Sequence, residues 1–497
     1  MYNLELIDWL ICGGYLLLVL ALGLRLSGRQ ESNDDYFVGG KQMHWLPIGL
    51  SLFAGLFSSL SFVGLPAEAA YKDYHLYLAI LFIPLVVVPI VWKWFLPLYF
   101  RLGATSCHQY IELRFNRSLR LTASVLFMLY TIGWMGNMLR AIGVILQAVL
   151  ETDPAETAIL LVAVGLFATF YTTMGGVRAV VWTDAIQAFA MGGGMLLVLV
   201  LTVNRIDGGL GQVVEIANRN GRLDIMHTEF GWQSANIYGV FAFGFFVYLA
   251  GQAVTFTAVQ RYVSMPSIGA ARKSLLVNGM MTGAVGLLFF FTGSAIFAFY
   301  HQGSSGEIQI QSEVVEPNLY EQLKPSESKP NRQDQLLPRF IMAELPYRGL
   351  MGLMLAALFA AAMSSVDSGI NSMTASVVCD WQGNRPQTLS QSRVLCAAFG
   401  LLTVALAMIL FFAGGQVFPM MMRIAGMFLG LLLGLFLLGL LVPAANDRAA
   451  TAGLIAGGIG IYLAIMSGVS HWWYGAFACL PVLGFGAALS LVKPGHR

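Results

Sequence analysis

Charge is scarce in this 497-residue chain: Asp, Glu, Lys and Arg make up 11% of it, against 57% hydrophobic residues. Soluble domains carry about a quarter charged residues, so this composition excludes a soluble fold. Histidine is rarer still, with seven copies, and the five cysteines (Cys12, Cys107, Cys379, Cys396 and Cys479) stand singly, without CxxC or Cys/His metal spacing. They read as core thiols. No H-E-x-x-H, G-x-S-x-G or Walker A loop is present, so zinc proteolysis, serine hydrolysis and nucleotide hydrolysis lack their signatures. The formal charge of +2 comes with no nucleic-acid patch. The N-terminus also lacks the basic start and small-residue cleavage site of a removable signal, so its apolar stretch is expected to be retained as a helix.

What the chain has in excess is apolar runs of about 20 residues, the length that crosses a hydrocarbon core. Hydropathy predicts thirteen helices, near 7–26, 44–70, 76–101, 118–150, 157–173, 180–203, 235–260, 275–300, 344–377, 393–413, 418–442, 448–467 and 472–492. The expected fold class is an all-α polytopic membrane protein. Basic residues gather in one set of connections, including Arg25, Arg29, Lys41, Arg101, Arg114, Arg117, Arg120, Arg178, Arg272, Lys273, Arg385 and Lys493. The positive-inside rule then places the N-terminus outside and the C-terminus in the cytoplasm of a cell membrane.

A leading helix (1–30) precedes two groups of five, 44–203 and 235–442, separated by an outer loop at 204–234; two trailing helices and a tail (448–497) complete the chain. An odd-numbered group followed by its repeat must be inverted relative to it, which predicts a five-plus-five inverted-repeat transporter core with the first helix of each repeat broken near the midplane. The segment Leu52–Pro66, with Gly55, Ser58, Ser59, Ser61, Gly64 and Pro66, supplies the first expected break, and Gly244, Gly251 and Gln252 mark the second. A second outer loop at 301–343, polar around Pro325–Gln335, reads as a cap with short helices.

The strongest local signal is Ala360 to Ser372, where Ser364, Ser365, Asp367, Ser368 and Asn371 interrupt an apolar helix. Hard cations take oxygen ligands, so this run is expected to hold an ion rather than to bond only its own helix carbonyls. Asp184, near the start of its helix, suits either an N-terminal cap or an ion ligand. Arg423, away from a helix end, should face a cavity, a carboxylate or an anionic solute, whereas Arg140 is expected to snorkel to the interface.

Several passages together resemble the sodium/solute symporter family: Asp35-Tyr36-Phe37-Val38-Gly39-Gly40, Leu65-Pro66-Ala67-Glu68-Ala69, Met174-Gly175-Gly176 with Val181-Trp182-Thr183-Asp184, Val259-Gln260-Arg261-Tyr262, and Met363 to Asn371. The resemblance spans roughly residues 30–445 and implies the same inverted-repeat fold. It also implies a main sodium site made by the carbonyls of Ala54, Phe57 and Ala361 and the hydroxyls of Ser364 and Ser365. A further sodium site would use Asp184, Ser364, Asp367 and Ser368. Relatives tend to carry a hydroxyl where this chain has Asp367, which leaves sodium, a proton or an arginine as its partner.

Sugar and sialate transporters of the family place polar or charged contacts where this chain has Ser61, Tyr77, Leu81 and Trp134. With Ser58, Gln252 and Arg423 these form the expected solute-contact set. The passages from Gly103 to Phe115 and from Gln260 to Ser264 resemble the iodide, multivitamin and monocarboxylate branch. The expectation is therefore a sodium-coupled symporter that imports a small organic anion by alternating access, moving two sodium ions per solute, with no catalytic residues and no cofactor beyond the coupling ions. The alternatives are a sodium/sugar or sialic acid-type symporter, a cation channel, a membrane enzyme and a non-transporting sensor.

Overall fold

The computed structural model describes residues 4–27, 33–103, 106–226, 228–234, 236–302, 318–325, 332–345, 347–382, 388–414 and 417–491. Residues 104–105 of the Gly103–Phe115 passage, most of the Pro325–Gln335 stretch, Arg29, Arg385 and the tail from 492 lie outside the described residues. All regular structure among the described residues is helical. An apolar medium imposes this, because each backbone N–H and C=O must find a partner within its own segment.

The main helices are α1 (Leu6–Ser27), α2 (Trp45–Leu56), α3 (Ser59–Tyr71), α4 (His75–Leu102), α5 (Arg117–Leu150), α6 (Pro154–Val203), α7 (Gly209–Arg219), α8 (Ile237–Ala253), α9 (Phe256–Val263), α10 (Ile268–His301), α11 (Leu336–Glu344), α12 (Leu350–Trp381), α13 (Leu389–Ala413), α14 (Val417–Leu441), α15 (Asp447–Met466) and α16 (Tyr474–Leu491). Among the described residues, ten helices are long and apolar enough to cross a membrane, or up to 12 spans when the bent pairs α2/α3 and α8/α9 are counted as one each. The expected thirteen requires α6 to count twice. At 50 residues it would reach about 75 Å at 1.5 Å per residue, more than two hydrocarbon thicknesses. Its regular geometry is interrupted at Gly176, whose φ of 57° and ψ of −165° belong to glycine.

Both bent pairs turn on a hydroxyl. Between α2 and α3 the chain bends by 63°: Phe57 is extended, and the Ser58 hydroxyl accepts the Ser61 amide at 3.3 Å as the N-cap of α3. Between α8 and α9 the bend is 47°, and the Thr255 hydroxyl accepts the Ala258 amide at 3.3 Å. Each cap satisfies a donor that the restarted helix would otherwise leave bare at membrane depth. The glycines and proline expected to make the breaks do other things. Pro66 lies inside α3, Gly244 opens a wide helical turn within α8, and Gly251 precedes the second break.

The oxygen-rich α12 is central: 94% of its apolar window is buried, against 22% for α1. It packs against α6, α1 and α5, while α15 and α16 pack on each other and on α14. Segments between helices gather at two faces. At one, the Tyr71 hydroxyl donates to the Tyr320 carbonyl and the Tyr320 hydroxyl to the Ala70 carbonyl, each at 2.9 Å, and the Tyr74 amide bonds the Asp224 carbonyl. This is the capped face, where Glu5 before α1 also pairs with Arg348. At the other, Arg114 donates to the carbonyls of Gly439, Val442 and Pro443, and Asp380 receives Ser106, His108 and Arg120. The expected helix 344–377 starts later, at Leu350, because α11 forms a separate helix of the cap.

Within the cap, Asp334 is buried against Glu68 of α3, and burial together with that neighbouring carboxylate pushes its acid up to about 7, with Lys72 pulling the other way. A carboxyl with a raised folded pKa binds more protons folded than unfolded, so it contributes stability at low pH that is lost as pH rises from about 3.8 through about 7. Hydrogen exchange of amides 332–345, corrected for intrinsic rate, is therefore expected to be slower at pH 6 than at pH 8, and Asp334→Asn should remove the difference. Equal protection at both pH values in the parent would count against this.

Candidate ion and solute site

The first break leaves the end of α2 beside the middle of α12. The Ser364 hydroxyl lies 3.1 Å from the Ala54 carbonyl and 3.0 Å from that of Ala361. Next to it, the Ser365 Oγ is buried with no hydrogen-bond partner among the described residues. Phe57 is the extended residue that ends α2. All five expected main-site residues thus lie at the break or on the α12 turn that meets it. Two carbonyls gathered on one hydroxyl, with a second buried hydroxyl unpaired on the neighbouring residue, are oxygens of the kind a small hard cation can use.

The second group is organised differently from the expectation. Asp184 does not cap a helix, since it lies well inside the helical stretch beyond Gly176. Its Oδ2 accepts Arg261 Nη2 at 3.0 Å, the Ser51 hydroxyl, and the Ser368 hydroxyl at 3.3 Å. Arg261 donates in addition to Ser51 at 2.6 Å, to the Thr257 carbonyl at 2.9 Å and to Ser368. Asp184 Oδ1 is buried without a partner among the described residues. Asp367 turns to the Tyr171 hydroxyl at 2.6 Å and to the Ser368 amide. Of the four residues expected at the further sodium site, Asp184 and Ser368 meet, with the Arg261 guanidinium between them. Asp367 and Ser364 point elsewhere.

Two adjoining cavities of about 80 Å³ each lie along the breaks, sharing Gly55, Leu56, Tyr130, Trp134 and Gly251. The upper one, toward the capped face, is lined by Ser61, Leu65, Phe243, Tyr248, Phe418, Met421 and by Leu76, Ile80 and Ile83 of α4. The lower one is lined by Ser51, Gln252, Thr255, Arg261, Ser365 and Ser368. Expected contacts Ser61, Trp134 and Gln252 therefore line these spaces. Ser58 is occupied as the cap of α3, beside Ser61 Oγ at 3.4 Å. Tyr77 instead donates to the Gly283 carbonyl of α10 at 3.0 Å, and Leu81 packs near the same glycine. The cavity face of α4 carries the 76, 80, 83 stripe, which is one helical face.

The two arginines set within helices, Arg140 and Arg423, are placed opposite to expectation. Arg423 is exposed, while Phe418, Met421 and Met422 of the same helix face the cavity. Arg140 is 2% exposed, enclosed where α5 meets α14, 3.9 Å from Met420 Sδ. Arg423 is not Asp367's partner, and Arg140 does not reach the interface. Tyr130, Phe243 and Tyr248 also line the cavity and had not been singled out; helical spacing is the signal that points to them, since Tyr130 is four residues before Trp134 on α5 and Tyr248 three before Gly251 on α8.

The sequence landmarks also meet in space. Gln260 donates to the Phe37 carbonyl at 2.8 Å and to Asn371 Oδ1 at 2.9 Å, Arg178 to the Gly39 carbonyl at 3.0 Å, and Tyr36 to the Thr173 carbonyl. These bonds tie the Asp35–Gly40 passage to α6, α9 and α12.

A helical bundle with two broken spans, backbone and hydroxyl oxygens gathered at the first break and two adjoining cavities along the breaks is the architecture of a secondary membrane transporter. The chain belongs to the sodium:solute symporter family, whose model matches residues 36–457. It is 28% identical to the sodium/sialic acid symporter of Proteus mirabilis, over 97% of this chain and 94% of that protein. It is 31% identical to human sodium-coupled monocarboxylate transporter 1, over 90% of this chain and 72% of that protein. A solved substrate-bound, outward-open structure of a Na+-coupled sialic acid symporter matches at a TM-score of 0.87 and 26% identity, covering 100% of this chain and 99% of that one. The protein is thus a multi-pass sodium-coupled symporter of a small solute, with sodium as the coupling ion, and not an enzyme.

Ser365→Ala deletes the unpaired hydroxyl at the first break without opening a large cavity. A polar contact to a charge contributes about 1.5–3 kcal/mol, so the sodium concentration for half-maximal uptake is expected to rise about tenfold or more at unchanged protein yield. A wild-type sodium dependence of this variant's uptake would remove Ser365 from the site.

Proposed function

We propose that the symporter imports a small organic anion of the monocarboxylate or vitamin type. The supporting observation is the lining of the upper cavity, where Leu65, Leu76, Ile80, Ile83, Phe243 and Met421 surround the solute space, with Ser61 and Thr282 among its few hydroxyls. A polyhydroxylated sialate or sugar requires many placed hydrogen-bond partners. Leu81 and Tyr77 offer none here, being turned toward α10. Trp134 presents an aromatic face where a sialate carboxylate would need a cation.

In this reading Ala54, Phe57, Ala361, Ser364 and Ser365 hold the main sodium ion, and the solute sits above it against Ser61, Trp134 and the 76, 80, 83 stripe of α4. The groups 44–203 and 235–442 are inverted repeats that rock about this point. The capped face is extracellular and the Arg114/Arg120 face cytoplasmic, in keeping with the basic residues that collect there. Arg423 is left outside the solute-contact set.

The test is uptake into proteoliposomes under an inward sodium gradient, with propionate, nicotinate, glucose and N-acetylneuraminate as labelled solutes. Propionate or nicotinate is expected to accumulate only with sodium and to be displaced by other monocarboxylates. Sodium-driven uptake of N-acetylneuraminate or glucose alone would replace the anion reading by its alternative. Arg423→Gln, at an exposed position, should leave uptake within about twofold, as surface substitutions usually do.

A further inference from the structure

At the face of Arg114 and Arg120, the end of α4 meets the starts of α2 and α10, and three cations stand over three tryptophans. The Arg272 guanidinium lies 5.4 Å from the Trp92 ring, the Lys273 ammonium 6.0 Å from the Trp45 ring and the Lys93 ammonium 5.0 Å from the Trp94 ring. Arg272 is half-buried, and its Nε is buried with no hydrogen-bond partner among the described residues. None of the three cations has a carboxylate or carbonyl partner among the described residues, whereas Arg114 is taken up by three carbonyls and Arg120 by two carboxylates. From Arg272 toward the middle of α10, exposed Leu276 and Met280 follow at intervals of four, on one helix face. There α10 lies close against α4, since a Cβ on Gly279 would meet Val88 and Pro84 at 3.2 and 3.3 Å, and exposed Leu85 adjoins Pro84.

We infer that this cluster is a docking site for one anionic phospholipid of the adjoining leaflet, with its phosphate held by Arg272 and Lys273 and an acyl chain laid along Leu276 and Met280. Charge complementarity carries the argument. Cations at the end of a membrane span that the protein itself leaves without anions attract acidic headgroups. Arg272 is suited to a phosphate because stacking on Trp92 uses the face of the guanidinium and leaves its N–H edge free for paired oxygens. The tryptophans fix the level, since indoles gather at the headgroup boundary. The occupant is a lipid rather than a free phosphate because the cations continue, on the same helix face, into exposed apolar side chains that only a hydrocarbon chain covers. The site joins α10 to α4, whose other turns wall the upper cavity with Thr282 and with Leu76, Ile80 and Ile83. A lipid bound there braces two walls of the solute space from one end.

Titration of the purified full chain, in a neutral detergent, with radiolabelled dioleoylphosphatidylglycerol tests this, with dioleoylphosphatidylcholine as the zwitterionic comparison. The parent is expected to bind phosphatidylglycerol saturably and about tenfold or more tightly than phosphatidylcholine, the margin of a charge-assisted contact. Arg272→Gln and Lys273→Gln should each weaken phosphatidylglycerol binding by about tenfold, and Arg117→Gln, at an exposed basic position of the same face, should leave it unchanged. Lys273 is exposed, so its variant keeps the inference open to refutation if Arg272→Gln does not fold. Equal affinity for the two lipids, an equal loss in Arg117→Gln, or parent affinity in folded Arg272→Gln or in Lys273→Gln would each overturn it. Displacement of the lipid by an equal concentration of glycerol phosphate would make this a site for a free phosphate and overturn the lipid as its occupant.

Discussion

A helix that stops in an apolar medium leaves carbonyls and amides with no water to bond, and the structure depends on how that requirement is met at two places. At each break a hydroxyl, Ser58 or Thr255, caps the helix that restarts. One amide at each restart is thereby satisfied, while on the carbonyl side of the first break Ala54 is met by a serine of α12. The backbone offers oxygen there, from Ala54 of one helix and Ala361 of the other. The cavity arises from the same geometry, since bends of 63° and 47° prevent the two broken spans from packing along their whole length.

Burial of charge is the second constraint, and it is met by pairing. Asp184 has Arg261, Asp367 has the Tyr171 hydroxyl, and Asp380 has His108, Arg120, Ser106 and Ser376. Buried pairs of this kind add little net stability, because desolvation offsets their attraction. Their effect is to hold register. The Asp380 cluster locks the end of α12 to the start of α5 at one face, and the Asp184 cluster locks α2, α6, α9 and α12 together. Both join segments distant in sequence, so any motion of α12 against α5 or α9 must rearrange a charge.

The upper cavity owes its character to helix register. Leu76, Ile80 and Ile83 face it and Tyr77 and Leu81 do not, although all five lie close together on α4. Wide helical turns at Ile83–Val87 and Val91–Phe95 rotate the remainder of that helix.

Composition and periodicity were enough to determine the membrane class, the helix-rich fold, most helix boundaries within a few residues and the polar run on α12, because each of these is a property of neighbouring residues in one solvent. The motifs were enough for the family. Tertiary structure alone decided which residues cap the restarted helices, Ser58 and Thr255, that Arg140 is enclosed and Arg423 exposed, and that Arg261 faces Asp184. The physical reason is common to them: a cap, a buried arginine and an ion pair each depend on which face of a distant helix arrives opposite. Ser51, Asp184, Arg261 and Ser368 come from four different helices, and no local pattern in any one of them carries the position of the other three.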